Sequence, residues 1–261
     1  MLVKGQRDVN ARRRGRREST SYWTFGINAV ERRLAMQPAS IRELSLLPGG
    51  HPRRAALEAR ARAHGIAVRL VEGQTLRRLT GSDTHQGVAA LVGAFAYAEL
   101  EAVLEGDPGP ILVLDHLQDP HNFGALVRTA AAAGMAAVVI PRHGAVGVTG
   151  AVEKVAAGAV NDVPICQVAN LHRTLVGLRD LGYWSIGLTP AGGTNLFEIE
   201  LPQRPALVLG GETGLRSLVE ATCDLRASIP QRAGVESLNA SVAGAIAMYD
   251  VCRQLERLDR V

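Results

Sequence analysis

ILVLDHLQDPHNFGALVRTAAAAGMAAVVIP, residues 111–141, decides the fold class. ILVLD (111–115) reads as a fully apolar strand. A turn containing Pro120, Asn122 and Gly124 follows, then a helix of small and apolar residues that ends at Gly134, where a residue without a Cβ can close the last turn. MAAVVIP (135–141) is a second apolar strand. Strands that are apolar throughout, rather than alternating, are buried on both faces, and joining two of them through a helix makes them parallel.

The alternation continues toward the carboxyl terminus. TGAVEKVAAGA (149–159) reads as helical, DVPICQV (162–168) as extended, LHRTLVGLRDLG (171–182) as helical and YWSIGL (183–188) as extended. PALVLGG (205–211) and LRASIP (225–230) are further strands, and a last helix runs from about Asn239 to Leu258. A parallel sheet covered on both faces is expected over residues 110–261. In such sheets ligands bind beyond the carboxyl ends of the strands.

Toward the amino terminus a smaller set of elements is legible. GINAVERRLAM (26–36) and RRAALEARARAHG (53–65) read as helices and GQTLRRLTG (73–81) as a short one, with strands IRELSLL (41–47), IAVRLV (66–71) and GVAALVGAF (87–95). Residues 22–97 are expected to form a small α/β sandwich. AYAELEAVLEGDPGP (96–110) is acidic and ends in Gly and Pro, which suits a linker over about 98–109.

Charge is divided along the chain. Residues 1–20 carry a net +5, residues 21–97 another +5, and residues 98–261 a net −6. A basic front end on an acidic body suggests a polyanion partner, and RRRGRR (12–17) within a disordered arm of residues 1–21 fits phosphate neutralisation or a solubilising tail. Apolar content of 47% and charge of 21% are those of a globular protein, with no run apolar and long enough to span a membrane. MLVKGQRDVN lacks the apolar core of a secretory signal, so a cytoplasmic protein is expected. Three scattered cysteines without CxxC, and seven histidines without HxxxH, point to neither a disulfide framework nor a metal site.

Three loops at expected strand ends carry candidate chemistry. In the first, Asn122 is placed to cap the helix, whose exposed N–H groups attract anions. Arg128, the only charged residue between Asp119 and Arg142, could fork onto a phosphate or carboxylate or simply reach solvent. The second, GGETGLR (210–216), lets a ligand approach the backbone closely and sets Glu212 between glycines. The third, IPQRAGVESLNASVAGAIAMYD (229–250), places Ser237 and Asn239 at the mouth of a helix rich in small residues. No GxGxxG turn and no GxSxG elbow occurs, which argues against dinucleotide-dependent and serine-hydrolase chemistry.

These loops, in this order, resemble the three motifs of the SpoU (TrmH) branch of the SPOUT RNA methyltransferases. DPHNFGALVRTAAAAG (119–134) is similar to the first motif, LVLGGETGLR (207–216) to the second and IPQRAGVESLNASVAG (229–244) to the third. YWTFGINAVERRL (22–34) and THQGVAALV (84–92) resemble the ribosomal-protein-L30e-like RNA-binding domain of the RlmB-type subgroup, as does KVAAGAVNDVPICQVANLHRTL (154–175) that subgroup's catalytic domain. The resemblance implies a C-terminal α/β domain tied in a deep trefoil knot, a homodimer, and S-adenosylmethionine held in the knot. It also implies methylation of a ribose 2′-hydroxyl in RNA, in this subgroup a guanosine of the peptidyl-transferase loop of 23S rRNA. By motif match Gly210, Ile229 and Leu238 contact the cofactor through their backbone, with Thr189, Gly211 and Pro230 lining its site. Asn122, Arg128, Glu212, Ser237 and Asn239 fall on catalytic and structural positions. No metal is implied.

The second motif departs from the family's G-x-E-G-x-G-[LM]: GGETGL is one residue shorter, so a tighter loop is expected. By resemblance Arg128 is the base for the hydroxyl. Arginine is protonated near neutrality, so the reading preferred here is a clamp on a substrate phosphate that also stabilises developing alkoxide charge. An RNA-binding protein with a degenerate cofactor site, or the same chemistry on tRNA or an antibiotic-resistance site of rRNA, are the rival readings.

Overall fold

The computed structural model describes residues 21–106, 109–190, 192–232 and 237–255. The basic arm expected over residues 1–21 lies almost wholly outside them.

The first unit is a four-stranded sheet built from β1 (Tyr22–Phe25), α1 (Ile27–Met36), β2 (Ile41–Leu46), α2 (Pro52–Ala63), β3 (Ala67–Leu70), α3 (Gly73–Thr80) and β4 (Val88–Val92). The strand order is β1-β4-β2-β3, with β4 antiparallel to both neighbours and β2 parallel to β3. α1 and α2 cover one face, burying Val30, Leu34 and Leu57 against Leu44, Val88 and Ala90; Leu76 of α3 meets Phe25 and Ala89 on the other. β1 was not expected. Four residues are too few for a periodicity, and the strand is set by pairing with β4, from Tyr22 opposite Val92 to Phe25 opposite Ala89.

The second unit follows a single turn of helix, α4 (Leu100–Val103). It comprises β5 (Ile111–Asp115), α5 (Pro120–Ala132), β6 (Ala137–Pro141), α6 (Gly150–Val155), β7 (Ile165–Val168), α7 (Leu171–Asp180), β8 (Trp184–Leu188), β9 (Thr194–Asn195), β10 (Pro205–Gly210), α8 (Ser217–Thr222), β11 (Leu225–Ser228) and α9 (Ala240–Gln254). Its seven strands are ordered β7-β6-β5-β10-β8-β11-β9, all parallel. The apolar strands lie at the middle, as their composition requires. Leu112 and Leu114 face α5, α6 and α9 with Phe123, Leu126, Val152 and Met248, while Ile111 and Val113 face α7 and α8 with Leu175, Tyr183 and Val219. Each such fully buried Leu or Phe contributes roughly 1.5–3 kcal/mol.

Two further features differ from the sequence reading. β9, two residues at the sheet edge, has no local signature. The segment expected as a linker is docked: Ala98 N–H donates to the Ile165 carbonyl (2.9 Å), and Leu100 is buried with Val103 and Leu104 beside it. AELEAVL is acidic on one face only, and its apolar face covers the sheet.

Candidate functional site

Four strands deliver residues to one cavity of about 320 Å³ at their carboxyl ends. After β5 comes Asn122; β8 ends in Leu188, followed by Thr189 and Pro190; β10 ends in Gly210, followed by Gly211 and Glu212; after β11 come Ile229 and Gln231. Ser237, Leu238 and Asn239 close it from the start of α9, with Ala240 and Ala243 forming its floor. The small-residue stripe of α9 divides its work: Ala240 and Ala243 face the cavity, while Gly244 and Ala247 are buried, the former against Leu126 of α5. The cavity thus collects every expected site residue except Pro230 and Arg128.

The first loop corrects one sequence assignment. Asp119, not Asn122, caps α5, accepting from His121 N–H (2.9 Å) and Asn122 N–H (3.4 Å). Pro120 decides this: proline fits the first helical position, so the residue before it is the cap, a feature whose loss typically costs about 1 kcal/mol. Asn122 sits inside the first turn, buried, and its Oδ1 accepts from Asn239 Nδ2 (3.0 Å). Asn239 in turn caps α9, taking Ser241 N–H (2.9 Å) and the Ser241 hydroxyl (2.6 Å) on its Oδ1. First and third motifs are therefore bolted together by one amide–amide bond. Arg128 lies on the exposed face of α5 and makes no ion pair or hydrogen bond among the described residues.

The shortened second motif is a tight turn. Gly214 N–H donates to the Gly211 carbonyl (3.0 Å), and Gly211 N–H donates to the Asp115 carbonyl (2.9 Å). A Cβ at Gly210 would stand 2.1 Å from the Gly214 carbonyl carbon, so only glycine allows the turn to fold back. Glu212 is exposed at its tip. The exit of the turn is clamped by Asp115, the last residue of β5 and fully buried. Its Oδ2 accepts from Arg216 N–H (2.9 Å), and its Oδ1 from Arg216 Nε (2.8 Å) and Nη2 (2.6 Å). Such a buried carboxylate is tolerated because it is fully paired.

Sequence reading did not single out Asp115, Arg216 or Gln231. An acid closing an otherwise apolar strand was the available signal for Asp115; its partner is 101 residues away. Gln231 matters because its Oε1 is buried at the cavity wall without a hydrogen-bond partner among the described residues. An orphaned acceptor is costly unless a ligand supplies a donor. Leu188, Leu209, Ile229 and Leu238 give the cavity apolar walls, and Thr189, Glu212 and Asn239 give it polar ones. An amphiphilic, nitrogen-bearing molecule such as S-adenosylmethionine fits that donor and acceptor set. Replacing Gln231 with leucine is expected to weaken S-adenosylmethionine binding about tenfold in calorimetric titration, the worth of one well-made hydrogen bond.

Neither Cys223 nor Cys166 is poised as a nucleophile. Burial first, then the neighbouring Asp224 and Glu220, push the Cys223 thiol up to about 12; burial, then Glu101 and Glu99, push Cys166 to about 11. Both remain protonated near neutrality, so alkylation by iodoacetamide at pH 7.5 is expected to be slow in the native protein and fast after denaturation. Among the described residues no group of three or more His, Cys, Asp or Glu side chains could hold a metal ion, and no helix is long and apolar enough to cross a membrane.

Comparison with known proteins agrees with this geometry. Residues 109–249 match the model of the SpoU rRNA Methylase family, and residues 23–98 that of the RNA 2′-O ribose methyltransferase substrate-binding domain. A 23S rRNA (guanosine-2′-O-)-methyltransferase RlmB of Nitrosomonas europaea is 42% identical over 239 residues, covering 90% of this chain and 92% of that one. Its namesake in Xanthomonas campestris is 41% identical, covering 89% and 96%. Among solved structures, the SpoU methyltransferase AviRb of Streptomyces viridochromogenes, in complex with AdoMet, superposes with a TM-score of 0.76 over 91% of both chains at 20% identity, a likeness of fold.

Proposed function

Since the chain belongs to the SpoU rRNA methylase family, we propose that it transfers a methyl group from S-adenosylmethionine to the ribose 2′-hydroxyl of a guanosine in 23S rRNA. The observation that carries this reading is the cavity, which gathers nine of the eleven motif residues at the carboxyl ends of parallel strands. The choice of guanosine and of 23S rRNA rests on relatives about 40% identical over nine-tenths of the chain.

Bound S-adenosylmethionine supplies a methyl group on a positively charged sulfonium, open to in-line attack by a nucleophile. The chain's residues do the rest. Gly210, Ile229 and Leu238 offer loop backbone to hold it, with Thr189, Gly211 and Gln231 around them. Leu188, Leu209 and Ala243 keep water from the cavity floor. Asn122, its Oδ1 taken by Asn239, retains amide N–H groups to donate to the ribose. Ser237 and Glu212 stand exposed at the mouth, where they order the approaching nucleotide. Arg128, outside the cavity and unpaired among the described residues, grips an rRNA phosphate in a bidentate fork and stabilises the charge that develops as the hydroxyl passes its proton to solvent water.

Three further elements belong to this reading. The order β5-β10-β8 supports a trefoil knot, because β10 must insert between strands laid down before it. Val242 and Tyr249, seven residues apart on α9 and both nearly half exposed, support a homodimer with that face buried between copies. An rRNA substrate puts the protein in the cytoplasm.

Mapping ribose methylation across rRNA from cells with and without the gene tests the target. Loss of one 2′-O-methylguanosine in 23S rRNA is expected. Loss of a tRNA methylation, or no change at all, would overturn it, the latter favouring an RNA-binding protein without catalysis.

A further inference from the structure

One buried polar cluster has no part in the chemistry above, and it joins the two units. Arg33 of α1 is 4% exposed and Glu153 of α6 is 1% exposed, and the two form an ion pair. Tyr22 of β1 donates its hydroxyl to Glu153 Oε1 (2.9 Å) and accepts from Arg33 Nη2 (3.1 Å), while Arg33 Nη1 donates to Gln37 Oε1 (2.6 Å). Burial, then the Glu153 charge, hold the Tyr22 phenol well above its ordinary range, so it stays a donor. Around the cluster the contact is close. The Trp23 carbonyl oxygen presses so tightly on Gly150, the first residue of α6, that a Cβ there would lie 1.8 Å from it. Lys154 hydrogen-bonds Thr84 and lies 5.4 Å from the centre of the Phe25 ring, and Arg32 pairs with Asp162.

A buried ion pair contributes little net stability, because desolvation offsets its attraction; separating the partners inside the protein is what costs. An apolar joint can slide, whereas a buried pair triangulated by a tyrosine is held by directional bonds in one arrangement. We infer that Arg33, Glu153 and Tyr22 are positioning residues: they fix the angle at which the RNA-binding unit presents rRNA to the methyl-transfer cavity. This rests on the proposed function, since it assigns the joint a role in that reaction. None of the three lines the cavity.

The test uses the full-length protein with Glu153→Gln and, separately, Gly150→Ala. The nearest atoms to the alanine methyl belong to Trp23 and Phe25 of the other unit, and alanine suits the start of a helix, so the substitution acts first on the joint. Both variants are expected to bind S-adenosylmethionine within about twofold of the parent by calorimetry. Their kcat on rRNA is expected to fall at least about tenfold with KM changed less than about threefold, since misplacement by about 1 Å can cost about 100-fold. Small-angle scattering is expected to show a broader distance distribution. The exchange Arg33→Glu with Glu153→Arg is expected to recover part of kcat. Parental kcat in both single variants, or cofactor binding lost in step with kcat, would overturn the inference. A parent that methylates no rRNA but whose scattering broadens in the variants would contradict the proposed function and leave the joint standing as a purely structural lock, sinking the positioning role.

Discussion

Replacing Arg128 by alanine is expected to lower kcat on rRNA by about 10²–10³, the usual loss when a preorganised charge-stabilising donor is removed. S-adenosylmethionine affinity is expected to stay within about twofold, because Arg128 does not line the cavity. The lysine variant separates a fork from a point charge. Lysine keeps the positive charge on a flexible stem but cannot make two parallel hydrogen bonds to a phosphate. A clamp therefore predicts a kcat loss in Arg128→Lys approaching that of alanine, together with weaker RNA binding. Lysine turnover near the parent's, with RNA affinity unchanged, would remove the clamp. The exposed guanidinium, without a partner among the described residues, is the observation behind this expectation: no internal contact has to break before it meets a phosphate.

Gly210→Ala is the second large effect expected. The added Cβ would stand 2.1 Å from the Gly214 carbonyl carbon and 2.2 Å from its oxygen, and these are backbone atoms that no rotamer change can move. The turn must open, and the hydrogen bond between Gly214 and Gly211 goes with it. Overpacking of this kind typically costs 1–3 kcal/mol or more, which at about 1.4 kcal/mol per decade is a roughly tenfold to hundredfold loss in S-adenosylmethionine affinity. Calorimetric titration reads this directly. RNA binding, which the proposed function gives to the first unit, is expected to persist. Parental cofactor affinity in Gly210→Ala would mean that the turn is not part of the cofactor site.

How much of this was legible in the sequence follows from the range of each interaction. ILVL, MAAVVIP and PALVLGG are apolar over their full lengths, and that alone requires burial on two faces, so the covered parallel sheet could be read. The clustering of the three loops could be read too, because parallel strands place all their carboxyl ends on one edge. Capping at the first loop was misassigned by three residues: Asp119 and Asn122 are both good caps, and only the weight given to Pro120 separates them. The Asp115–Arg216 clamp, the Asn122–Asn239 bridge and the Arg33–Glu153 joint span 101, 117 and 120 residues. No local pattern encodes such pairs. Glu153, in a segment that reads as an ordinary helix, has the look of a surface residue until the other unit is laid over it.

The central claim is that the cavity holds a methyl donor whose methyl group passes to a ribose oxygen of rRNA. Incubating the purified protein with unmodified 23S rRNA and methyl-labelled S-adenosylmethionine, then digesting the RNA to nucleosides, tests it most directly. The label is expected in 2′-O-methylguanosine, at one mole per mole of rRNA or less. Label on a base, or RNA that is bound and left unlabelled, would contradict it.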